Sequence, residues 1–380
     1  MDFELTEDQA MLRDMIRSFA QNEIEPVASG LEARHEYPRE ILKKLAELGV
    51  LGMSVPHEFG GIKTDYLSLM LTIEEISRSL PALAVMLSVH CSLFCYAVAK
   101  YGAEPLKTQY LPKAATGEVL GAFSLTEPGA GSDISSLTTQ AVHREGRFVL
   151  NGTKAWVSNG NDAGAFILFA LTEAEPGVKK LSAFLVDRDS PGLRVSKIEE
   201  KMGLNASITT DLVLEDCEIP EENLLGREGK GASIALDCLD CSRIGIAAQS
   251  VGLAQRALDE AIGYSRQREA FGQTISQLQA IQFMLADIAT LTEASRLLTY
   301  RAASHYDLGK PLTKAAAMAK LYAAEAANRI VYMALQIHGG YGYSKEFLIE
   351  QLYRDARVLS IYEGTSEIQR MVIARLLLKD

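Results

Sequence analysis

The chain has 380 residues, more than one hydrophobic core usually organises, so two or three domains are expected. With 48% hydrophobic and 23% charged residues it reads as an ordinary soluble globular protein, and no run approaches 18 consecutive apolar residues, which argues against a membrane span. The net charge of −11 argues against sequence-independent nucleic-acid binding, which needs a basic footprint, and suits an anionic ligand only where basic residues line the site locally.

The start, Met1-Asp2-Phe3-Glu4, lacks the basic and apolar regions of a signal peptide and the Arg-rich character of a transit sequence. A bacterial-like cytoplasmic protein is expected, and a processed mitochondrial matrix chain would read the same. Thr6 and Gln9 form a capping box, followed by Leu12, Met15, Ile16 and Phe19 at helical spacing. Ile41, Leu42, Leu45 and Leu48 repeat that spacing, Pro56 and Gly60-Gly61 break it, and one long helical stretch is predicted over about 65–101.

Near residue 119 the pattern turns to short β-branched and aromatic segments. Leu137 to His143 and Phe148 to Leu150 flank Arg144-Glu145-Gly146-Arg147, a predicted hairpin, and Asn151-Gly152 reads as a turn. Ala165 to Leu171, Leu181 to Val186, Leu193 to Ile198 and Ile208 to Leu214 are further strands. Strands without intervening helices imply an antiparallel barrel or sandwich. After Gly226 to Gly231 the pattern is helical to the end, with stripes at Val251, Ala254, Leu258, Ile262 and at Ile281, Met284, Leu285, Ile288, Leu291. Gly309-Lys310-Pro311 breaks two long helices, as in an up-and-down bundle. The fold class is therefore α+β and multidomain. An N-terminal α-helical domain (1–118) precedes a middle antiparallel β-barrel or sandwich domain (119–228) and a C-terminal up-and-down four-helix bundle (229–380).

Five segments carry candidate chemistry. In Phe123-Ser-Leu-Thr-Glu-Pro-Gly-Ala-Gly-Ser-Asp133 a strand enters a Gly/Ser turn whose backbone N–H groups approach an oxygen closely, unless it is a plain β-turn. Trp156, the one tryptophan, precedes Ser158 at a strand end, where it either packs or flanks a flat cofactor. Arg243 is either an anion ligand or a surface partner of Asp240. Arg268 to Gln273 and Gln336 to Gly340 are polar breaks beside long helices, and His338 reads as a capping or contact residue rather than a base. Finally, Ile361 to Arg370 places Glu363 at the mouth of a helix that Ser366 and Gln369 would cap. A carboxylate beside free N–H donors suits proton removal with oxyanion stabilisation; the alternative is a solvated loop glutamate. The cysteines are Cys91, Cys95, Cys217, Cys238 and Cys241, an odd, sparse set that suits a reducing compartment. Cys238-x-x-Cys241 has no second pair or His pair, so helix cysteines are favoured over a redox or zinc site and no metal is expected.

In this order, FSLTEPGAGSD, WVSNG, LDCSR, REAFGQ, QIHGG and IYEGTSEIQ resemble the acyl-CoA dehydrogenase family, short-chain or butyryl-CoA members in particular, over nearly the whole chain. The resemblance implies FAD, an acyl-CoA substrate, and a homotetramer built as a dimer of dimers. Phe123, Leu125, Thr126, Gly131 and Ser132 would line the flavin, with Trp156, Val157 and Ser158 on its other side and the Ser158 hydroxyl near N5, where many members carry Thr. Arg268, Phe271, Gln279, Gln336, Ile337, His338, Gly339 and Gly340 would hold the diphosphate and adenosine, partly from a neighbouring subunit. Thr365 and Glu367 would also contact FAD, and Ser132, Asp240, Arg243 and Gly364 the substrate. Glu363 would take the α-proton while the β-hydride goes to the flavin, and an electron-transferring flavoprotein would accept the electrons. A subset of the family carries its base near Arg243, where this chain has Ser242. Related nitroalkane oxidases have Asp at the base position, and Glu363 weakens the alternative of an oxidase using oxygen. The acyl pocket is expected around Val89 to Tyr96, with His90, Cys91, Phe94 and Cys95, for a short or branched acyl group.

Overall fold

A computed structural model of the chain describes residues 4–175 and 177–378; Met1, Asp2 and Phe3 of the acidic start lie outside them. The first 115 residues form α1 (Glu7–Phe19), α2 (Glu25–Arg34), α3 (Arg39–Glu47), α4 (Tyr66–Ser79), α5 (Pro81–Ser88), α6 (Tyr96–Tyr101) and α7 (Glu104–Ala115). Thr6 caps α1 as expected: its hydroxyl accepts from Gln9 N, and the Gln9 side chain accepts from Thr6 N. The stretch predicted as one helix over 65–101 is broken. Pro81 disfavours helical backbone at the residue before it, and Leu80 is extended (φ −149°, ψ 91°) between α4 and α5. A π-helical segment, Val89–Cys95, then joins α5 to α6. Pro81–Tyr101 is long and apolar enough to cross a membrane (mean hydropathy 1.9 over its most apolar 18 residues), but 89% of that stretch is buried inside the protein, as befits a core segment.

The middle region is a sheet of β1 (Gly121–Ser124), β2 (Gln140–Arg144), β3 (Arg147–Ser158), β4 (Ala165–Glu175), β5 (Val178–Asp187), β6 (Leu193–Ile198), β7 (Thr209–Pro220) and β8 (Leu224–Leu225). Its order is β6-β7-β3-β2-β4-β5-β8, with β1 beside β4. Pairing is mostly antiparallel, but β1 and β2 both run parallel to β4, which departs from an all-antiparallel sheet. The β2–β3 hairpin turns at Glu145 (φ 50°) and Gly146 (φ 77°), two left-handed residues whose twist matches the flanking strands. Asn151-Gly152 is not a turn. The β3 strand runs through it with a register shift, because a Cβ at Gly152 would lie 2.4 Å from Thr139 Oγ1 and glycine lets the two backbones meet. Alternate residues of β4 serve two cores: Ile167 and Phe169 join the helices, whereas Leu168 and Ala170 face Phe148, Phe184 and Ile219 within the sheet.

The C-terminal helices are α8 (Gly231–Gln267), α9 (Gln279–Asp307), α10 (Thr313–His338), α11 (Leu348–Ala356) and α12 (Ser366–Leu377). Between α8 and α9 lies a small hairpin of β9 (Glu269–Ala270) and β10 (Gln273–Thr274). Buried alanines along α10, from Ala315 to Ala334, let it lie close between α8 and α9, and α12 packs back onto α10. The N-terminal α4 also packs on α8 and α9; a Cβ at Gly252 of α8 would lie 2.2 Å from Glu74 O of α4. The cysteines are free and buried, and no metal-binding cluster occurs among the described residues.

Two buried carboxylates clamp the three regions together. Glu32 of α2 accepts from Asn205 N (2.7 Å) and Ala206 N (3.1 Å), and Asp355 of α11 accepts from Leu204 N (2.7 Å). Burial raises the pKa of both, and the Glu32 charge raises Asp355 further, against the backbone N–H donors and Arg354, with Lys201 also drawing Glu32 down. A carboxyl raised in the fold binds its proton more tightly than in the unfolded chain. Stability from this pair is therefore greatest at acid pH and is lost as pH rises through the folded value. We predict that the urea midpoint of Asp355→Asn depends less on pH between 5.5 and 8 than that of the wild type.

Candidate active site

Glu363 lies between a short 3₁₀ turn (Arg357–Ser360) and α12, and both it (φ 55°) and Gly364 (φ 89°) are left-handed. For a glutamate this conformation costs on the order of 1–3 kcal/mol, so the surroundings must impose it. They do so through the carbonyls. The Gly364 oxygen accepts from Lys320 Nζ (2.8 Å) and Gln369 Nε2 (2.9 Å), and the Glu363 oxygen from Gln369 Nε2 (3.3 Å) and, at 3.5 Å, Arg243 Nε. A Cβ on Gly364 would lie 2.6 Å from Gln369 Nε2, so the second position needs glycine. The expected capping box shifts by one residue. Thr365, not Ser366, caps α12 and accepts from Ile368 N, while the buried Gln369 serves the turn instead.

The carboxylate itself is left available. Glu363 Oε2 and Ser242 Oγ are shielded from solvent and neither has a partner at full hydrogen-bond geometry, although the hydroxyl lies near enough to favour the carboxylate, and no bond from Glu363 N–H occurs among the described residues. Burial raises the Glu363 carboxyl to about 6, against the Ser242 hydroxyl and the Arg243 and Lys320 charges, which pull it down. Arg243 and Asp240 are not a surface pair. Arg243 is 3% exposed and donates to Asp240 Oδ1 at 2.6 Å, and Thr313 Oγ1 donates to Asp240 Oδ2 at 2.6 Å.

A second group lines the open rim of the sheet. The turn after β1 is held by Glu127, buried, which accepts from Thr138 N (2.7 Å), Thr139 N (2.9 Å) and Lys154 Nζ (2.8 Å). Burial opposes the Glu127 charge, but the Lys154 ammonium and the threonine donors overcome it and hold its carboxyl at about 2. Burial draws Lys154 down to about 8, so both partners are ionised at neutral pH. Lys154 Nζ also donates to Leu125 O, and Ala155 N donates to Thr126 O at 2.9 Å, which brings the turn beside Trp156. Trp156 is 57% exposed at φ 60°, an outlier for a bulky residue, where β3 shifts register against β7. Gly131 and Ser132 are exposed and Phe123, Leu125, Thr126 and Ser158 half-buried, but the Val157 side chain is buried in the sheet, so it offers only its backbone.

A third group sits at the far end of α8. Phe271 (φ 54°) and Gly272 form the turn of the β9–β10 hairpin, and Phe271 is 91% exposed. The Arg268 guanidinium lies over the Tyr341 ring at 5.6 Å, joining this hairpin to the Gly339–Tyr343 turn. Gln279, Gln336, Gly339 and Gly340 are exposed, whereas Ile337 and His338 point inward. His338 stacks on Tyr264 and bonds Ala334 O through Nδ1 at 2.7 Å, a contact role as expected. The Val89 to Tyr96 segment is core rather than an open pocket: His90 bonds Gly121 N and Ala114 O, and Cys91, Phe94 and Cys95 are fully buried.

Sequence reasoning did not single out Lys320, Lys154 or Gln249. Lys320 and Lys154 are lone lysines on otherwise apolar faces, and that misfit is the one signal each carries. Gln249 carries none.

Three family signatures lie along the chain in order. They are the acyl-CoA dehydrogenase N-terminal domain over residues 6–118, the middle domain over 122–217 and the C-terminal domain over 229–378. The mitochondrial short-chain specific acyl-CoA dehydrogenase of Rattus norvegicus is 48% identical over 376 residues, 99% of this chain and 91% of its own. Butyryl-CoA dehydrogenase from Megasphaera elsdenii superimposes with a TM-score of 0.97 at 39% identity, covering 100% of both chains. A chain from a study of the electron transferring flavoprotein of Acidaminococcus fermentans and flavin-based electron bifurcation superimposes at 0.98 with 44% identity, again over 100% of both.

Lys154→Met leaves Glu127 buried without its cation. It is expected to lower unfolding free energy by about 3–5 kcal/mol in urea titration.

Proposed function

The chain belongs to the acyl-CoA dehydrogenase family, and from that premise we propose that Glu363 is the base that removes the α-proton of a short acyl-CoA thioester as it becomes the 2-enoyl-CoA. One observation carries this reading. Glu363 presents a shielded, unbonded carboxylate oxygen from a turn whose carbonyls are held from behind by Lys320, Gln369 and Arg243. Its raised pKa of about 6 suits a group that must be ionised at neutral pH yet accept a proton readily. The unused N–H of Glu363 is placed to hold the thioester oxygen as negative charge develops there, a donor worth about 3 kcal/mol in comparable sites. Ser242 on α8 has no carboxylate, which leaves this role to Glu363.

The cofactor of the family is FAD, and the sheet rim suits a flat aromatic group. Trp156 is held exposed in a strained conformation, and a Cβ at Gly129 or Gly131 would meet nothing within 4 Å, so backbone donors there are open to a ligand. Phe123, Leu125, Thr126, Gly131 and Ser132 would line one side, Trp156, Val157 and Ser158 the other, and Thr365 and Glu367 the edge near α12. Bound FAD supplies the acceptor for the hydride that leaves the β-carbon. Ser132, Asp240, Arg243 and Gly364 would meet the acyl-CoA, Arg243 mainly by fixing Asp240 and the base's backbone.

Arg268 lies 25 residues beyond Arg243 along α8, roughly 37 Å at 1.5 Å per residue. That is farther than a flavin dinucleotide with its ring at Glu363 can reach. Arg268, Phe271, Gln279, Gln336, Gly339 and Gly340 would therefore serve the site of a neighbouring copy, which supports at least a dimer, the unit from which a homotetramer would be built. Exposed Phe271, Phe283, Tyr322, Met371 and Leu377, and an apolar groove of about 560 Å³ between α9, α10 and α12, suit such assembly. The electron acceptor in this reading is an electron-transferring flavoprotein, supported by the likeness to a chain studied with one.

In this reading the acyl group is short, as in the relatives named short-chain specific, and a buried face of α8 would bound its far end. Ser242, Ile246 and Gln249 lie on one face of α8, spanning roughly 10 Å. At its end the Tyr362 hydroxyl bonds Gln249, whose amide bonds Pro81 O at 2.9 Å.

Glu363→Gln is expected to keep its yellow colour but to be reduced by butyryl-CoA about 10²–10⁴-fold more slowly in anaerobic stopped flow. Reduction at the wild-type rate would remove Glu363 from the role. The wild-type rate should fall as pH drops through about 6, as the base takes up its proton. In a panel of straight-chain acyl-CoAs, Gln249→Ala should move the best substrate to a longer chain.

A further inference from the structure

Lys320 is fully buried, yet no carboxylate lies within ion-pair distance of it among the described residues. Its one hydrogen bond there goes to a neutral carbonyl, Gly364 O at 2.8 Å. A buried ammonium without an ion partner is costly, and a methionine would fill the same space on this alanine-rich face of α10 more cheaply. The cost falls at the one place where a cation affects the proposed chemistry.

We propose that Lys320 is a positioning residue for the base: its ammonium locks the left-handed Glu363–Gly364 turn through the Gly364 carbonyl and supplies the positive field that keeps Glu363 ionised. This rests on Glu363 being the base. The geometry divides two tasks among three donors. Gln369 bridges both carbonyls of the turn as a neutral amide, and Arg243 reaches Glu363 O while its charge is compensated by Asp240 at 2.6 Å. Lys320 alone combines a short bond to the turn with a charge that has no bonded counter-ion.

The ionisable groups facing this pair come from every element around it. Arg243, Asp240 and Cys238 lie on α8, Glu325 on α10, Glu367 and Arg370 on α12, and Tyr362 precedes the base. Arg370 pairs with Glu325 at 2.7 Å and Asp240 with Arg243, so the charges that favour ionised Glu363, beside the Ser242 hydroxyl, are Arg243, part-compensated by Asp240, and Lys320, which has no bonded counter-ion. Burial draws Lys320 down to about 8, with Glu363 working to raise it, so the lysine is charged over the range in which the base titrates.

The test compares holoenzyme of the wild type, Lys320→Met, Lys320→Gln and Lys320→Arg. Flavin reduction by butyryl-CoA is followed from pH 5.5 to 9, and hydrogen–deuterium exchange is measured across residues 361–366. Without the cation the ionised base is less favoured. The rising limb of the pH profile should therefore move up by about one unit in the Met and Gln variants, a roughly fivefold deficit at pH 6 that closes at high pH. Lys320→Arg should keep the limb near its wild-type position. Exchange should quicken in Lys320→Met and less in Lys320→Gln, which keeps a donor. A Met variant with the wild-type limb and wild-type exchange overturns the proposal. So does one that is uniformly slower with the limb unmoved, which is what a merely structural residue would give. If Lys320→Met does not fold, Lys320→Gln carries the pH comparison. Wild type and Glu363→Gln are run alongside. Should Glu363→Gln reduce as fast as wild type, the base assignment fails, and the exchange data still report whether Lys320 anchors the turn.

Discussion

Two consecutive left-handed residues, Glu363 and Gly364, are the constraint around which the rest of the site is arranged. A free chain would leave this conformation, since for a glutamate it is strained. It persists because donors from three helices take its carbonyls: Arg243 from α8, Lys320 from α10 and Gln369 from α12. Each donor is buried, so each must find an acceptor, and the turn provides the oxygens they require. The strain in the loop and the polarity in the bundle thus offset one another, and the carboxylate projects with its Oε2 free of a hydrogen-bond partner.

The sheet rim works on the same terms. Trp156 stays exposed at a positive φ because the strand around it cannot relax. Lys154 and Ala155, just before it, are bonded to Leu125 and Thr126, and Lys154 is locked into the buried pair with Glu127. Breaking the pair by removing one partner would cost more than the strain it sustains. Relative placement of rim and turn rests on the junction where Glu32 and Asp355, from the first and last helical regions, grip the Leu204 to Ala206 loop of the sheet region. Asn159 adds a further tie, donating from the sheet to Met86 O of α5.

Much of the fold was legible because it depends on local periodicity. The Thr6 cap, the Arg144 to Arg147 hairpin, strand β6 at Leu193–Ile198 and the break at Gly309 to Pro311 follow from patterns a few residues long. Misreadings came where a distant contact overrode the local signal. Asn151-Gly152 stays in a strand because Thr139 approaches it, and the parallel neighbours of β4 come from segments that a hairpin reading pairs locally. The helix over 65–101 breaks for a local reason, Pro81, within an otherwise continuous apolar pattern.

The sequence by itself determined the helix–strand–helix order, the family, and the carboxylate at a helix mouth, because periodicity, motif and residue identity all survive in one dimension. It could not say that Glu363 would be shielded and unbonded, that Arg243 and Asp240 would be buried together, or that Gln369 would bind the turn rather than cap it. Nor could it show a lysine from a run of alanines standing behind the base. Those outcomes depend on burial and on pairs up to 120 residues apart, as between Arg243 and Glu363, and both quantities exist only once the chain has closed on itself.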